Sequence, residues 1–348
     1  MEIKKTSMEN MVKKILITGI KGYLGPVVHE FLSKKKEFDI YGIDNYYFAN
    51  KKKEKKILIK DIRKISKKDL NGFDSVIHLA AISNDPMGKE FKKPTKEINF
   101  DASKKLLRLC IQQKMKNFIF ASSCSIYGDG GRSFKKETHS VNPLTDYAKS
   151  KINFEKFCKR INLRSTKVTC LRFGTAMGGS SNIRLDLVLN DLIGKAMTIG
   201  KIRMVSDGSP LRPLIHVKDM ALAMYWALKE RKKNKKKFLI INVGTNSMNF
   251  SIKQIAQRVK KYHKKAEIEF GKKSPDKRSY KVDFSLYRSL AKKYLPKYNL
   301  DKSIEEITHC LKKIGISKLK KNYNNYMRLN SLNILKDKKK ISKHLSWL

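Results

Sequence analysis

Short apolar, largely β-branched runs recur through the first half of the chain, at residues 14–18, 40–43, 75–79, 117–121 and 167–171. Near-continuous apolar runs of this length are the pattern of strands buried on both faces. Helix-length segments separate them, among them 101–114 and 146–161. Strands interleaved with helices predict βαβ units, hence an α/β fold built on a doubly wound parallel sheet whose ligands sit at the carboxyl ends of the strands. After Arg172 the texture changes to Gly, Ser and Asn with basic interruptions, followed by a helical pattern at 185–193, a strand-like run at 238–243 and a helical pattern at 252–261. This half reads as a smaller, interleaved α/β substrate lobe made of 174–213 and 246–317, with 214–245 returning to a first domain of 1–173. The last stretch, 318–348, is rich in Lys and Asn with a weak helical pattern at 326–335, and is expected to cap the smaller lobe or to be partly mobile. No internal repeat is present.

The turn Thr18-Gly19-Ile20-Lys21-Gly22-Tyr23-Leu24-Gly25 follows a predicted strand and opens a predicted helix. In that context glycines let the backbone approach a pyrophosphate, and the helix N-terminus offers unpaired N–H groups and partial positive charge. Asp44 ends the next strand about twenty residues farther on, where a ribose would lie, and a 2′-phosphate there would meet a like charge, so NAD is expected rather than NADP. Asp61, after another short strand, is a candidate for the adenine amino group. Tyr147 and Lys151 stand four residues apart, on one face of one helix, so that an ammonium adjoins a phenol and is expected to lower its pKa toward working pH. Ser123 closes an apolar strand that runs into a hydroxyl-rich turn, and is the candidate to stabilise charge on the substrate oxygen whose proton Tyr147 takes.

Taken together these motifs resemble the NAD-dependent epimerase/dehydratase family of extended short-chain dehydrogenases, from Ile15 to about Ser317. The resemblance rests on the loop from Thr18 to Gly25, Asp44-Asn45, His78-Leu79-Ala80-Ala81, Asn99, the turn from Ser122 to Gly128, and the Tyr147/Lys151 pair. It implies a Rossmann domain holding NAD through Gly19, Gly22, Tyr23, Leu24, Gly25, Asp44, Asn45, Asp61, Ile62, Leu79, Ala80, Ala81, Asn99, Tyr147 and Lys151, with Ser123, Tyr147 and Lys151 as the catalytic triad. It also implies a nucleotide-diphosphate sugar as substrate, met by Ser83, Ser123, Asn190, Arg212 in the run from Arg212 to Asp219, and Arg278 in the run from Asp276 to Tyr280. Guanidinium forks suit diphosphate oxygens. Two departures matter. Family dehydratases carry an Asp-Glu pair after the triad serine, where this chain has Cys124-Ser125, which disfavours dehydration. Met177-Gly178 stands where Tyr-Gly is usual. The expected reaction is NAD-dependent epimerisation through a transient keto sugar, the alternative a reductase or dehydrogenase with net NAD(H) turnover.

Composition adds one complication. Among 348 residues, 41% are hydrophobic and 31% charged, as in a globular protein, but the formal net charge is +47. Such charge raises the rival of a non-catalytic Rossmann protein that binds polyanions. Lysines are spread along the whole length in short runs, at 34–36, 51–53, 235–237 and 338–340, which suits a solvated surface and no specific nucleic acid. Five cysteines without CxxC spacing suggest neither a disulfide framework nor a metal site and point to a reducing compartment. No signal peptide and no membrane span are expected, so the expected location is the cytoplasm. By analogy with the fold alone, the helices at 101–114 and 146–161 could pair two subunits into a homodimer.

Overall fold

The computed structural model describes residues 12–230, 236–271 and 278–348. Seven parallel strands form the central sheet: β1 (Lys13–Thr18), β2 (Phe38–Asp44), β3 (Ile57–Ile59), β4 (Ser75–His78), β5 (Asn117–Ser123), β6 (Lys167–Phe173) and β7 (Phe238–Val243). Their spatial order is β7-β6-β5-β4-β1-β2-β3, so the winding reverses between β1 and β4. A reversal of this kind opens a crevice at the carboxyl edge, because the loops leaving the two strands diverge to opposite faces.

Period-two alternation sends successive side chains to opposite apolar layers. Ile15, Ile17, Ile77 and Ile119 join one layer with helices α1 (Gly25–Ser33) and α5 (Val217–Lys229), whereas Leu16, Val76, Phe118 and Phe120 join the other with α2 (Ala102–Gln112) and α3 (Asp146–Arg160). Phe31 of α1 meets Tyr225 of α5 edge-on at 5.8 Å, and Phe120 of β5 packs on Phe154 of α3 at 4.3 Å. Within the sheet His78 is buried, with its two ring nitrogens at 2.6 Å from Thr18 Oγ1 and 2.7 Å from Ser103 Oγ. Burial pushes it down to about 3, so it stays neutral and serves as a clasp between β1, β4 and α2.

Beyond β6 the chain builds a second body from short sheets. Thr175–Met177, Leu211–His216 and Asn249–Ser251 form one; Lys201–Arg203 pairs with Glu267–Glu269; and Ser279–Val282 reaches back to pair with Asp129–Lys135, which follows β5. Helices α4 (Val188–Ile199) and α6 (Leu300–Ile314) cover them. Helix α4 begins three residues later than its apolar pattern predicts, because Arg184 to Leu187 remain outside it and Arg184 pairs with Asp186 instead. The first part of the C-terminal segment caps the second body as expected, with Leu319 buried there and Tyr323 donating to Asp191. Helix α7 (Arg328–Asp337) and the residues after it instead cross back to the parallel sheet, where Leu332, Ile341 and Leu345 are buried in the same layer as Leu16 and Phe118. Among the described residues no helix is long and apolar enough to cross a membrane.

Candidate active site

A cavity of about 670 Å³ lies at the carboxyl edge of the sheet, above the β1/β4 reversal and under the second body. Its floor is the glycine turn. Gly19 has φ +73, and a Cβ there would stand 2.7 Å from the backbone nitrogen of Ala80, so only glycine lets the β1 and β4 loops touch. A Cβ on Gly25 would come within 2.4 Å of the Gly19 carbonyl, which closes the turn onto the first residue of α1. Asp44, at the end of β2, accepts from the Lys21 backbone N–H at 2.8 Å and from that of Tyr46 at 2.7 Å. Burial raises its pKa, and those backbone bonds oppose the rise. A glycine cradle, a carboxylate one strand away and an apolar slot at Ile43, Ile62 and Leu79 fit a dinucleotide. Asp61 also lines the slot, but its carboxylate is forked by Arg63 at 2.6 Å and caps the turn after β3.

The reactive groups sit at the other end. Helix α3 starts because Thr145 accepts from the Ala148 N–H at 3.2 Å and Asp146 occupies the positive first turn. This start turns Tyr147 and Lys151 toward β5. Lys151 is 3% exposed, donates to the Ala121 carbonyl at 2.7 Å and lies 5.5 Å from the centre of the Tyr147 ring. Burial pushes the ammonium down to about 7. Tyr147 does not follow the expectation of an acidified phenol: burial raises it above its ordinary value, while a hydrogen bond with Ser123 and the Arg184 charge pull the other way. Desolvation outweighs the neighbouring cation in the ligand-free cleft. Ser123 Oγ donates to Ser125 Oγ at 2.9 Å and accepts from the Ser125 N–H at 3.1 Å.

Of the residues singled out from the sequence, all but two line this one cavity. Asn99 is the first exception. Its amide is buried, accepts from the Ile82 N–H at 2.8 Å and donates to the Ile82 carbonyl and Ser150 Oγ, so it shapes the loop after β4 without facing the cofactor space. Asn190 is the second: fully buried in α4, it accepts from the Gly178 N–H and donates to Tyr23 Oη, Gly178 O and Arg184 O, and its polar atoms are used up inside the protein. Arg212 lines the cavity but donates to the Arg278 carbonyl and lies over the Tyr280 ring at 5.7 Å, while Arg278 pairs with Asp85 at the start of the helix Asp85–Glu90. Asp276 and Lys277 of that motif lie outside the described residues.

Among the lining residues that sequence reasoning did not single out are Arg184, Asp186 and Arg328. Arg184 is 5% exposed, forks Asp186 at 2.8 and 3.0 Å and donates to Ser83 at 2.8 Å. Burial would lift the Asp186 carboxyl, but the Arg184 charge and hydrogen bonds hold it below the usual range. Arg328, from the C-terminal segment, completes the wall. In a chain with 78 Lys and Arg nothing in the sequence distinguishes these two arginines; burial alone does. Among the described residues no group of His, Cys, Asp and Glu could hold a metal ion.

Fold and site together define a dinucleotide-binding enzyme of the extended short-chain dehydrogenase type. Residues 15–244 match the NAD dependent epimerase/dehydratase family, well over half of the chain, and the protein belongs to that family. Its relatives include "Uncharacterized UDP-glucose epimerase YtcB" of Bacillus subtilis, 30% identical over 59% of this chain and 69% of the relative. Another is a UDP-N-acetyl-alpha-D-glucosaminuronate decarboxylase of Bacillus cytotoxicus, 28% identical over 72% and 80% of the two chains. The structure of UDP-glucuronic acid 4-epimerase from Bacillus cereus, in complex with UDP-glucuronic acid and NAD, superposes with a TM-score of 0.75 at 25% identity, covering 86% of this chain and 99% of that one. The protein uses NAD.

Proposed function

We propose that the protein is an NAD-dependent epimerase of a nucleotide-diphosphate sugar. The observation that carries this reading is the state of the acids in the cavity. Asp85, Asp186 and Asp191 are each in an ion pair, with Arg278, Arg184 and Lys195; Asp61 is forked by Arg63; Asp44 is held by backbone N–H groups. The residue after Ser123 is Cys124, 1% exposed. Among the described residues each of these cavity carboxylates is thus engaged, and the position after Ser123 carries no acid to protonate a leaving hydroxyl, which supports epimerisation over dehydration.

NAD held over the glycine turn and beside Tyr147 would supply the hydride acceptor for the sugar carbon and the hydride donor for the return step. Tyr147 Oη removes the proton of the hydroxyl on that carbon, and Ser123 Oγ donates to the same oxygen as it becomes a carbonyl. Against the rise that burial imposes, the hydrogen bond with Ser123 and the Arg184 charge favour the Tyr147 phenolate. Once the keto sugar has turned, Tyr147 gives the proton back. Arg212 and Arg278, on adjoining segments that line the cavity, suit the diphosphate, which anchors the nucleotide while the sugar rotates.

A panel of nucleotide sugars, incubated with catalytic enzyme and analysed for stereoisomers, tests the reading. Interconversion of two epimers without accumulating NADH is expected. Stoichiometric NADH release with no epimer would replace it by a dehydrogenase, and loss of water from the sugar by a dehydratase.

A further inference from the structure

After Gly315 (φ +93) the chain still packs on the second body, where Leu319 is buried and Tyr323 donates to Asp191 at 2.9 Å, and it enters α7 at Arg328. Beyond the helix, an isolated bridge between Ile341 and Trp347 folds the end into a buckle. Trp347 stacks on Tyr47 with ring centres 6.0 Å apart and donates its indole N–H to the Asn45 carbonyl at 2.6 Å. Arg63 donates to the carbonyls of His344 and Leu345 at 2.7 and 2.8 Å, and the Tyr47 hydroxyl also donates to Leu345. Asn45 and Tyr47 line the cavity directly after Asp44, and Arg63 holds Asp61, so the buckle grips the end where the adenosine half belongs.

Arg328 points into the same cavity from the other end of α7. It is 3% exposed, donates to Asn182 O and Oδ1 at 2.7 and 2.9 Å and lies 4.6 Å from the centre of the Phe48 ring. Asn182 in turn donates to the carbonyls of Lys21 and Phe48 at 2.6 and 2.8 Å, so a single asparagine ties Arg328 to the glycine turn. Among the described residues no carboxylate makes an ion pair with Arg328; Asp186 is taken by Arg184, a second buried guanidinium. Burial and the Arg184 charge push Arg328 down to about 9, so it remains a cation near neutrality. Arg328 and Arg184 thus crowd about Asp186, which accepts from the Arg328 backbone N–H at 3.2 Å while its charge is forked by Arg184. Crowded buried cations are costly until an anion arrives. The anion that a dinucleotide brings to a glycine turn is its pyrophosphate.

We propose that the C-terminal segment completes the cofactor site: Arg328 binds the pyrophosphate of NAD opposite the glycine turn, and the Trp347 buckle clamps the loop from Asn45 to Phe48 around the adenosine half. The segment retains the cofactor between turnovers. The proposal rests on the dinucleotide assignment and does not depend on which reaction follows.

The test is calorimetric titration of the full-length protein, freed of nucleotide, with NAD, ADP-ribose and UDP, together with the rate of NAD release. Arg328→Gln should weaken NAD and ADP-ribose by about tenfold or more and leave UDP unchanged, with partial recovery in Arg328→Lys. Trp347→Ala, outside the cavity, should speed NAD release while the ligand-free protein melts as a folded protein, so the clamp is tested even if Arg328→Gln fails to fold. Unchanged NAD affinity and release in Trp347→Ala and in whichever Arg328 variant folds would overturn the proposal. So would a loss confined to UDP, which would assign Arg328 to the sugar nucleotide. Because the readouts are binding alone, failure of the epimerase reading would leave them untouched.

Discussion

At Tyr147 and Lys151 the chemistry is set by burial as much as by pairing. The phenol lies near Ser123, Lys151 and Arg184, yet burial raises it above its ordinary value. Tyr147→Phe removes the group proposed to accept the sugar proton while keeping the ring in the wall. Turnover should fall by about 10³-fold or more, with NAD affinity preserved in titration; retained turnover would remove Tyr147 from the mechanism. Lys151 gives a separate test through stability. Its folded value is about 7 against an ordinary 10.5, so between those limits the unfolded chain holds a proton that the folded chain lacks. Raising the pH through that window therefore favours the folded state. Denaturant midpoints of the ligand-free protein, compared with Lys151→Met from pH 7 to 10, should shift steadily in favour of the native sequence; a flat difference would mean that the ammonium is solvated. The spacing of Tyr147 and Lys151 was legible from the chain, because helical period alone puts them on one face. The direction of the Tyr147 shift was not, because desolvation depends on what closes over the hydroxyl.

The helix that carries Tyr147 and Lys151 is held at the level of elements by a buried pair one turn past Lys151. Glu155, 1% exposed, accepts from Arg172 of β6 at 2.7 Å and from Ser122 of β5 at 2.6 Å, so a single carboxylate fixes α3 across two strands. Glu155→Ala would leave a buried guanidinium unpaired and should cost about 3–5 kcal/mol, read as a fall in melting temperature; a change within error would show that water reaches Arg172. Arg278 neighbours the strand pairing of Ser279–Val282 with Asp129–Lys135, and its place depends on two segments far apart in sequence. Arg278→Ala should raise KM for the nucleotide sugar by about tenfold with kcat changed less, as expected of a group that binds diphosphate away from the reacting carbon. The main strands and α3 were visible as apolar periodicity. The Ser279–Val282 pairing was not, since four residues carry too little pattern to mark a strand. Asn99 and Asn190 show the complementary failure: motif position identified them, but only their partners show that both are turned inward.

Charge is a property of the whole molecule. With a net +47, the protein should adhere to polyanions such as heparin at low ionic strength and be released as salt screens the surface, without loss of NAD binding. Adhesion that survives high salt would instead indicate a specific site. The C-terminal segment belongs to this scale too. Its weak helical pattern indicated a helix, yet gave no sign that the helix would cross to the parallel sheet, because Leu332, Ile341 and Leu345 find their apolar partners more than two hundred residues away. The sequence by itself determined the doubly wound sheet, the glycine turn with Asp44, and the Ser123, Tyr147 and Lys151 set, since each is written in local periodicity and short spacing. Only the tertiary structure decided which arginines line the cavity, which asparagines do not, and what closes the adenosine end. Those choices turn on burial and on partners distant in the chain, and neither has a local signature.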